Sequence, residues 1–565
     1  MISLLSVSAL ILCPNPSPPQ IVGGQFQEIH QWQGELNGDY FGNAVADAGD
    51  VNGDGVADIL VGASEAEVGG LGGSGKAYVY SGTDGSLIHD WSGPHGNARM
   101  GNAVSTAGDV NGDGFDDVIV GIYNAASAGN TKAGRVVVYS GVDGSTILRW
   151  DGTSADEYFG SAVAGGRDFD GDLIPDLVVG SANADPSGGS NRTGFVNVYS
   201  GATGALIYQI PGESNGDQFG REIAMLDDVD SDGVADLLIG APLADLPAGG
   251  SNAGAAYVYS GASGTQLFRM DGEAVGDGFA SSVSSAGDMN ADGVPDLIVG
   301  SPWASAGGMN AAGAAYAHSG VDGSLLFQWN GEASGDVMGK AVSGATDIDQ
   351  DGHADVLVGA YGTDTLGKSN RGSVYLYSGA DGSKLWQWQG DKAASQLGWA
   401  LSLVGDLNDD GRKELIMSAN SDGPANEGMV YVQGFNPFLY ADIDELSYLT
   451  GGTVEFSVDF PDSTSGYDYR ILVSPKGTGP SHFGIDIPLN GGQITENSYY
   501  GIYPVPTYSD MHGTLDADGN GTASITLPPT FHSNILGTYY FAAIASPVAG
   551  IPEFSSIAVR IYVLP

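Results

Sequence analysis

Seven copies of one acidic pattern, D-x-D/N-x-D-x-x-x-D/E, carry the side chains of this sequence that are best suited to chemistry. Side-chain oxygens at positions 1, 3 and 5, a backbone carbonyl at position 7 and a carboxylate at position 9 form a donor set made only of oxygen. Calcium is a hard cation that takes about six to eight oxygens, whereas magnesium demands a stricter octahedral geometry. The pattern therefore predicts calcium loops. Their first residues recur every 59 or 60 residues, at Asp50, Asp109, Asp168, Asp228, Asp288, Asp347 and Asp406.

We expect up to seven calcium ions, one in each loop. In the first loop, the expected ligands are Asp50, Asn52, Asp54, Asp58 and the backbone carbonyl of Val56. The expected side-chain ligands of the other six loops, in chain order, are Asp109, Asn111, Asp113 and Asp117; Asp168, Asp170, Asp172 and Asp176; Asp228, Asp230, Asp232 and Asp236; Asp288, Asn290, Asp292 and Asp296; Asp347, Asp349, Asp351 and Asp355; and Asp406, Asn408, Asp410 and Glu414.

Two of the seven loops are expected to bind calcium more weakly. In the third loop, Leu173 replaces the glycine at position 6, where we expect a positive φ. In the seventh, Glu414 is one methylene longer than the aspartate it replaces. An alternative interpretation treats the pattern as ordinary Asp-Gly turns. Such a turn needs only one Asp or Asn, whereas 24 acidic side chains occupy ligand positions here and would repel one another without a cation.

Four short apolar segments, separated by Gly and Asp turns, surround each acidic loop in a repeating unit typical of four antiparallel strands. In the first unit, Phe41-Gly42 precedes the loop, ILVGAS follows it, and KAYVYSG and LIHDWSG complete the unit. The seventh unit lacks its fourth strand, and the matching segment, EIHQWQGE around Trp32, stands near the N-terminus. We therefore predict an all-β ring of seven four-stranded blades, in which the N-terminal strand completes the last blade.

The order of Phe-Gly, DVNGDG and VGAP-like segments in nearly every unit resembles the FG-GAP repeats of the integrin α-subunit N-terminal β-propeller. The resemblance covers about residues 25–434. It implies a seven-bladed β-propeller with calcium in its blade loops, in a family associated with extracellular adhesion and ligand recognition. An inserted ligand-binding domain, a long leg and a membrane span, which an integrin subunit carries, are not seen in the sequence.

The two ends of the chain differ in composition from the repeats. Residues 1–24 combine the apolar run ISLLSVSALIL with a Pro-rich segment after Cys13, and we expect them to be a signal-like leader and linker of a secreted or cell-surface protein. The 59-residue period stops after residue 434. Alternating apolar segments over residues 435–565 predict a C-terminal β-sandwich.

The loops on the two rims of the predicted ring have different compositions. Strand alternation places the acidic loops on one rim, here called the acidic rim, together with the short Ser-Gly-x-Asp-Gly turns. The opposite rim carries the connections from Ser64 to Gly75 and from Ser305 to Ala312, and the loops before Phe-Gly, such as Glu35 to Tyr40. These loops show little aromatic or arginine content, so no binding hot spot is identified.

Five tryptophans recur at one position of the fourth strand, and this regularity favours packing between blades over a platform for sugar stacking. They are Trp32, Trp91, Trp150, Trp329 and Trp388. Phe41, Phe159 and Phe219 are likewise expected in the core.

Composition narrows the possible functions. A formal net charge of −49 argues against nucleic acid and anionic membranes as partners, because phosphate contacts need clustered Lys and Arg. No catalytic constellation occurs, so we expect no enzyme. The leading hypothesis is a calcium-binding extracellular propeller that acts in cell adhesion, binding a protein or surface ligand through the opposite rim. The alternatives are a secreted lectin and an enzyme acting on polysaccharide or phospholipid from the propeller channel.

Overall fold

The computed structural model describes residues 25–436 except 186–190, 247–249, 350, 366 and 409–411. In the C-terminal part it describes 439–441, 445–447, 452–459, 468–474, 480–482, 486–488, 508–509, 512–515, 520–527, 537–546, 554–555 and 559–564. The signal-like leader predicted for residues 1–24 and the ligand predicted at Asp410 lie outside the described residues. No helical segment among the described residues has the length and hydropathy needed to cross a membrane.

Twenty-eight strands form seven four-stranded antiparallel sheets, and these sheets are the blades of a β-propeller. The first three blades contain β2 (Phe41–Gly49), β3 (Asp58–Ala63), β4 (Lys76–Tyr80) and β5 (Leu87–Ser92); β6 (Met100–Gly108), β7 (Asp117–Ile122), β8 (Arg135–Tyr139) and β9 (Thr146–Asp151); and β10 (Phe159–Arg167), β11 (Asp176–Ser181), β12 (Phe195–Tyr199) and β13 (Leu206–Pro211). The next three contain β14 (Glu222–Met225), β15 (Leu237–Ala241), β16 (Ala255–Tyr259) and β17 (Gln266–Asp271); β18 (Ser282–Gly287), β19 (Asp296–Ser301), β20 (Ala314–His318) and β21 (Leu325–Asn330); and β22 (Met338–Gly344), β23 (Val356–Ala360), β24 (Ser373–Tyr377) and β25 (Lys384–Gln389).

The seventh blade is built from both ends of the ring, as the displaced fourth strand predicted. Its strands are β1 (Gln25–Gln33), β26 (Leu397–Val404), β27 (Glu414–Ala419) and β28 (Met429–Asn436). In the sheet they lie in the order β1-β28-β27-β26. β1 runs antiparallel to β28, with Gln25 opposite Asn436 and Gln33 opposite Met429. The prediction of a closed seven-bladed ring is confirmed.

Burial explains the strand sequences. The second strand of each blade has neighbouring strands on both sides and blades against both faces, so every residue of β3 is buried. The fourth strand is the outer edge, and β5 has exposed and half-buried positions only. Phe41, Phe159 and Phe219 are 4% exposed or less, which confirms their place in the core.

Two glycines of the repeat motif meet between neighbouring blades. A Cβ atom added to Gly62, in the VGA segment of the first blade, would lie 1.9 Å from the carbonyl oxygen of Gly101, which follows Met100 at the start of the second blade. Gly121 and Gly160 meet in the same way at 2.3 Å. These contacts require glycine because backbone approaches backbone at a distance that no side chain allows.

The recurring tryptophans lie between consecutive blades, as predicted, and four of the five also donate a hydrogen bond to the next blade. The indole Nε1 of Trp91 donates to the carbonyl of Gly144 in the next blade at 2.8 Å. Trp32, Trp150 and Trp329 donate equivalently to Gly85, Gly204 and Gly382. Trp388 instead packs edge-on against Phe26 of β1, with ring centroids 4.5 Å apart.

The C-terminal part forms two larger sheets and a short hairpin. The strands are β29 (Leu439–Ala441), β30 (Glu445–Ser447), β31 (Gly452–Asp459), β32 (Asp468–Ser474), β33 (Pro480–His482), β34 (Asp486–Pro488), β35 (Tyr508–Ser509), β36 (His512–Thr514), β37 (Asn520–Leu527), β38 (Gly537–Ser546), β39 (Phe554–Ser555) and β40 (Val559–Leu564). One sheet has the order β29-β31-β37-β35, and the other has β30-β40-β38-β32-β36 with β39 beside β38. Two sheets of this kind agree with the predicted sandwich.

Candidate metal centres

Each acidic loop connects the first and second strands of a blade, and its last residue begins the buried second strand. In the first blade, β2 ends at Gly49 and β3 begins at Asp58, which is fully buried. Asp58 Oδ2 accepts the backbone N–H of Val51 at 3.0 Å, and Oδ1 accepts that of Gly82 at 3.0 Å. One carboxylate thus joins the start of the loop to the turn that follows the third strand.

This arrangement recurs in the other blades. The position-9 aspartates accept from the equivalent glycine at 3.0 or 3.1 Å in the pairs Asp117–Gly141, Asp176–Gly201, Asp236–Gly261, Asp296–Gly320 and Asp355–Gly379. In the seventh blade, the backbone N–H of Leu407 donates to Glu414 Oε2 at 2.7 Å. The longer Glu414 side chain therefore still reaches the second residue of its loop.

The first aspartate organises the rest of the loop. Asp50 Oδ1 accepts the N–H groups of Gly53 and Asp54, and its Oδ2 accepts that of Gly55. Gly55 has φ +88°, the left-handed conformation predicted at position 6. In the third loop Leu173 adopts the same conformation, with φ +70°, and its side chain is 87% exposed. The leucine therefore fits the loop at the cost of backbone strain.

Three of the loops bring three carboxylates together. One oxygen from each of three carboxylates lies within 4.8 Å of the others in the sets Asp168, Asp170 and Asp176; Asp228, Asp230 and Asp236; and Asp347, Asp349 and Asp351. These are the loops with aspartate at position 3. In the first and fifth loops position 3 is asparagine, and the amide nitrogens of Asn52 and Asn290 donate to Asp58 and Asp296.

The electrostatics of the sixth loop favour a bound cation. Asp349 Oδ1 is buried and accepts no hydrogen bond from any residue that the structure describes. Burial, with the nearby charges of Asp351 and Asp347, raises the pKa of Asp349 to about 7. Burial also raises the pKa of Asp355, in the same loop, well above its usual value. Buried, mutually repelling carboxylates in an all-oxygen set fit a hard divalent cation. Such an ion would supply the positive charge that keeps the carboxylates ionised.

Neighbouring acidic loops contact each other. The backbone N–H of Asp50 donates to Asp116 Oδ2 at 2.9 Å, and the N–H of Asp116 donates to the carbonyl of Asp50 at 3.0 Å. Between the fifth and sixth loops, the N–H of Ala354 donates to the carbonyl of Asp288 at 2.9 Å. The acidic loops thus form a partly continuous rim around the ring.

A family model described as "FG-GAP repeat" matches the chain over residues 41–80, 100–139, 219–259, 279–318 and 338–377. Each match starts at the aromatic residue or Met before the acidic loop and ends with the third strand of a blade. The chain contains FG-GAP repeats. The match confirms the predicted resemblance to the FG-GAP repeats of the integrin α propeller.

Curated relatives of this FG-GAP repeat protein are integrin α subunits. The chain is 32% identical over 223 residues to integrin alpha-V of Gallus gallus, covering 37% of the chain and 21% of the relative. It is 33% identical over 224 residues to integrin alpha-5 of Xenopus laevis, covering 37% and 20%. It is 34% identical over 230 residues to integrin alpha-PS2 of Drosophila melanogaster, covering 37% and 16%. The matched region thus spans about a fifth of these relatives or less.

Aromatic residues of the FG-GAP repeats gather on the opposite rim, where sequence reasoning saw few. Trp303 follows β19 and is 50% exposed, and Tyr40 precedes β2 and is 41% exposed. Two further aromatic pairs have ring centroids about 5 Å apart, Tyr123 with Tyr158 at 5.4 Å and Tyr361 with Trp399 at 4.9 Å. The sequence did contain a signal for these aromatics, namely their position in the repeat: they follow a buried second strand or stand next to Phe-Gly.

A second set of buried acids, also missed from sequence, supports the loops of the opposite rim. Asp39 Oδ2 accepts the N–H of Leu36 at 2.8 Å, and Glu157 Oε2 accepts those of Thr153 and Ser154. Asp336 plays the same part in the sixth repeat. Each acid lies two residues before the aromatic residue or Met of its repeat, and each holds its loop in place without facing a cation site.

Proposed function

We propose that this FG-GAP repeat protein is a non-enzymatic, calcium-binding extracellular module that acts in adhesion by binding a protein or cell-surface ligand. The observation that carries the proposal is the repeated loop in which aspartate carboxylates converge, with the buried Oδ1 atom of Asp349 in the sixth loop. The integrin α relatives support the adhesive role. We assign one calcium ion to each of the seven loops, with the ligands predicted from the sequence. We also assign residues 25–434 to the propeller and residues 435–565 to a separate sandwich domain.

Calcium binding is tested by thermal melting after chelator treatment, with calcium or magnesium added back to millimolar concentration. Calcium binds only the folded loops, so the melting temperature rises by several degrees, and magnesium raises it less. Melting that ignores both chelator and calcium would contradict the proposal.

A single variant sharpens this test. Asp349→Asn removes a buried carboxylate without changing its shape, so it raises the melting temperature in chelator and lowers it relative to wild type in calcium. Asp156→Asn, at an exposed carboxylate far from the acidic rim, is the matched control and shifts neither value. If Asp349→Asn changed the melting temperature equally in chelator and in calcium, the sixth loop would not be a calcium site.

We place the ligand on the opposite rim, where exposed Trp303 and Tyr40 offer the large aromatic surface that binding interfaces favour. Wild type is screened against purified extracellular-matrix proteins and a glycan array. Trp303→Ala or Tyr40→Ala then weakens binding of the best ligand at least about tenfold. Leu325→Ala is the control, because this leucine is equally exposed but lies on the outer edge of a blade. Equal binding by all variants would exclude this rim.

A further inference from the structure

The ring encloses a central channel with a volume of about 460 Å³. Its wall is formed by three consecutive residues at the start of the first strand of every blade, such as Asn43, Ala44 and Val45 in the first. A cavity of this size accommodates a small organic molecule. None of the acidic-loop ligands discussed above lines the channel.

The lining residues form three stacked rings that differ in chemistry. The ring nearest the opposite rim contains only Asn, Ser, Arg, Lys and Trp, and the middle ring contains small residues in every blade except one, where Glu222 stands. The third ring consists of Val, Ile or Leu in all seven blades. The side chains of the third ring pack mainly in the cores between blades, so the surface that the channel exposes is mostly polar. Two residues of extended strand separate the outer rings, a rise of roughly 6.6 Å.

The residues that line the channel have a positive net formal charge, whereas the whole molecule is strongly negative. Arg221 and Lys340 belong to the polar ring, and Glu222 is the only acid among the lining residues. The channel therefore carries a formal charge of +1 inside a protein whose net charge is −49. Arg221 and Lys340 thus place two cationic groups at one cavity of a strongly acidic molecule.

The cationic groups are available to a ligand. Within the part of the chain that the structure describes, the side chains of Arg221 and Lys340 form no ion pair with Glu222 within 4.0 Å. Lys340 Nζ lies 4.9 Å from the ring centroid of Trp399, which holds the ammonium group beside the polar mouth. Burial lowers the pKa of Lys340 and raises that of Glu222.

We propose that the channel binds a small organic anion, whose charged headgroup contacts Lys340 and Arg221 and whose remaining atoms extend along the channel. This site is separate from the calcium loops and from the exposed rim aromatics of the proposed adhesive function, so either proposal can fail alone.

The test is a ligand-observed NMR titration of the full chain with hexanoate, its neutral isostere hexanamide, and inorganic phosphate. Hexanoate binds, and hexanamide binds at least about tenfold more weakly because it lacks the charge. Phosphate binding would show that the headgroup alone suffices, whereas hexanoate binding alone would show that the tail is needed. If neither anion binds at tens of millimolar, or if hexanamide binds as well as hexanoate, the proposal is wrong.

Three channel variants make the test specific. Lys340→Met keeps the length of the side chain and weakens hexanoate binding about tenfold, and Lys340→Arg restores it. Glu222→Gln removes the opposing charge and strengthens binding about threefold or more. The matched controls, Lys368→Met and Glu67→Gln, change exposed side chains outside the channel and leave binding unchanged. An unaltered affinity in Lys340→Met, with an unaltered melting temperature, would overturn the proposal.

Discussion

The aspartate at position 9 serves two parts of the structure at once. Asp117 closes its loop by accepting from Val110 and fixes the third strand by accepting from Gly141. Burial raises the pKa of this carboxyl to about 7. A residue that looks like one of several equivalent ligands in the sequence is thus the one that connects a metal loop to the core of the blade.

At the same scale, Leu173→Gly is expected to stabilise the protein. A leucine in the left-handed region costs roughly 1–2 kcal/mol, part of which is offset because glycine has a more flexible unfolded state. The expected net gain is about 0.5–1 kcal/mol, measured as a rise in melting temperature. Leu173 is exposed, so no packing is lost.

The reciprocal change is the control for this prediction. Gly114 has φ +91° at the same position of the second loop, and Gly114→Leu should lose about 0.5–1 kcal/mol for the same reason. Two changes of the same sign would show that backbone conformation does not govern this position.

Asp217 gives a prediction about pH away from the acidic loops. It is buried on the opposite rim, and burial, with the charges of Asp245 and Glu213, raises its pKa to about 6 from 3.8. Folded protein therefore binds this proton more tightly than unfolded protein, and the associated stability is lost as pH rises from about 4 through about 6. Asp217→Asn should melt above wild type at pH 8, and the difference should shrink as the pH is lowered to 4. A difference independent of pH would contradict this assignment.

At the scale of the strand and blade, neighbouring units are joined at fixed points that repeat with the sequence. Trp91→Phe keeps the aromatic stack on Tyr139, with centroids 4.5 Å apart, but removes the hydrogen bond to Gly144. We expect a loss of about 1 kcal/mol, measured by urea unfolding. Trp303→Phe, at an exposed indole, should stay within about 0.5 kcal/mol of wild type. If Trp91→Phe and Trp303→Phe lost equal stability, the loss in Trp91→Phe would not come from the hydrogen bond to Gly144.

The elements were largely predictable because their signals are local. Alternation, Gly-Asp turns and a constant period define four strands for each unit, and the EIHQWQGE segment around Trp32 reveals where the missing strand lies. The channel residues could not be identified in this way. Arg221, Glu222 and Lys340 meet only because different blades bring their first strands to one axis, and a strand residue facing a channel resembles one facing solvent.

At the scale of the whole molecule, closure depends on β1. Phe26 packs against Trp388 and Phe435, with ring centroids 4.5 and 5.0 Å apart, so β1 contributes core as well as hydrogen bonds. Deleting residues 1–33 should expose the edge of β28, lower the melting temperature and promote self-association in light scattering. Deleting residues 1–24 keeps β1 and is the control. Unchanged melting in both would show that the ring does not need this strand.

The position of β1 also imposes a delay between the synthesis of this strand and the synthesis of its partner. β1 leaves the ribosome first, and its partner β28 follows about 400 residues later. At roughly 5–20 residues per second, that interval lasts about 20–80 s. Throughout this time six blades can assemble as an open crescent while β1 waits unpaired. Two copies translated from one messenger RNA could then exchange this strand and form a domain-swapped dimer. Slow translation would favour such dimers over closed monomeric rings.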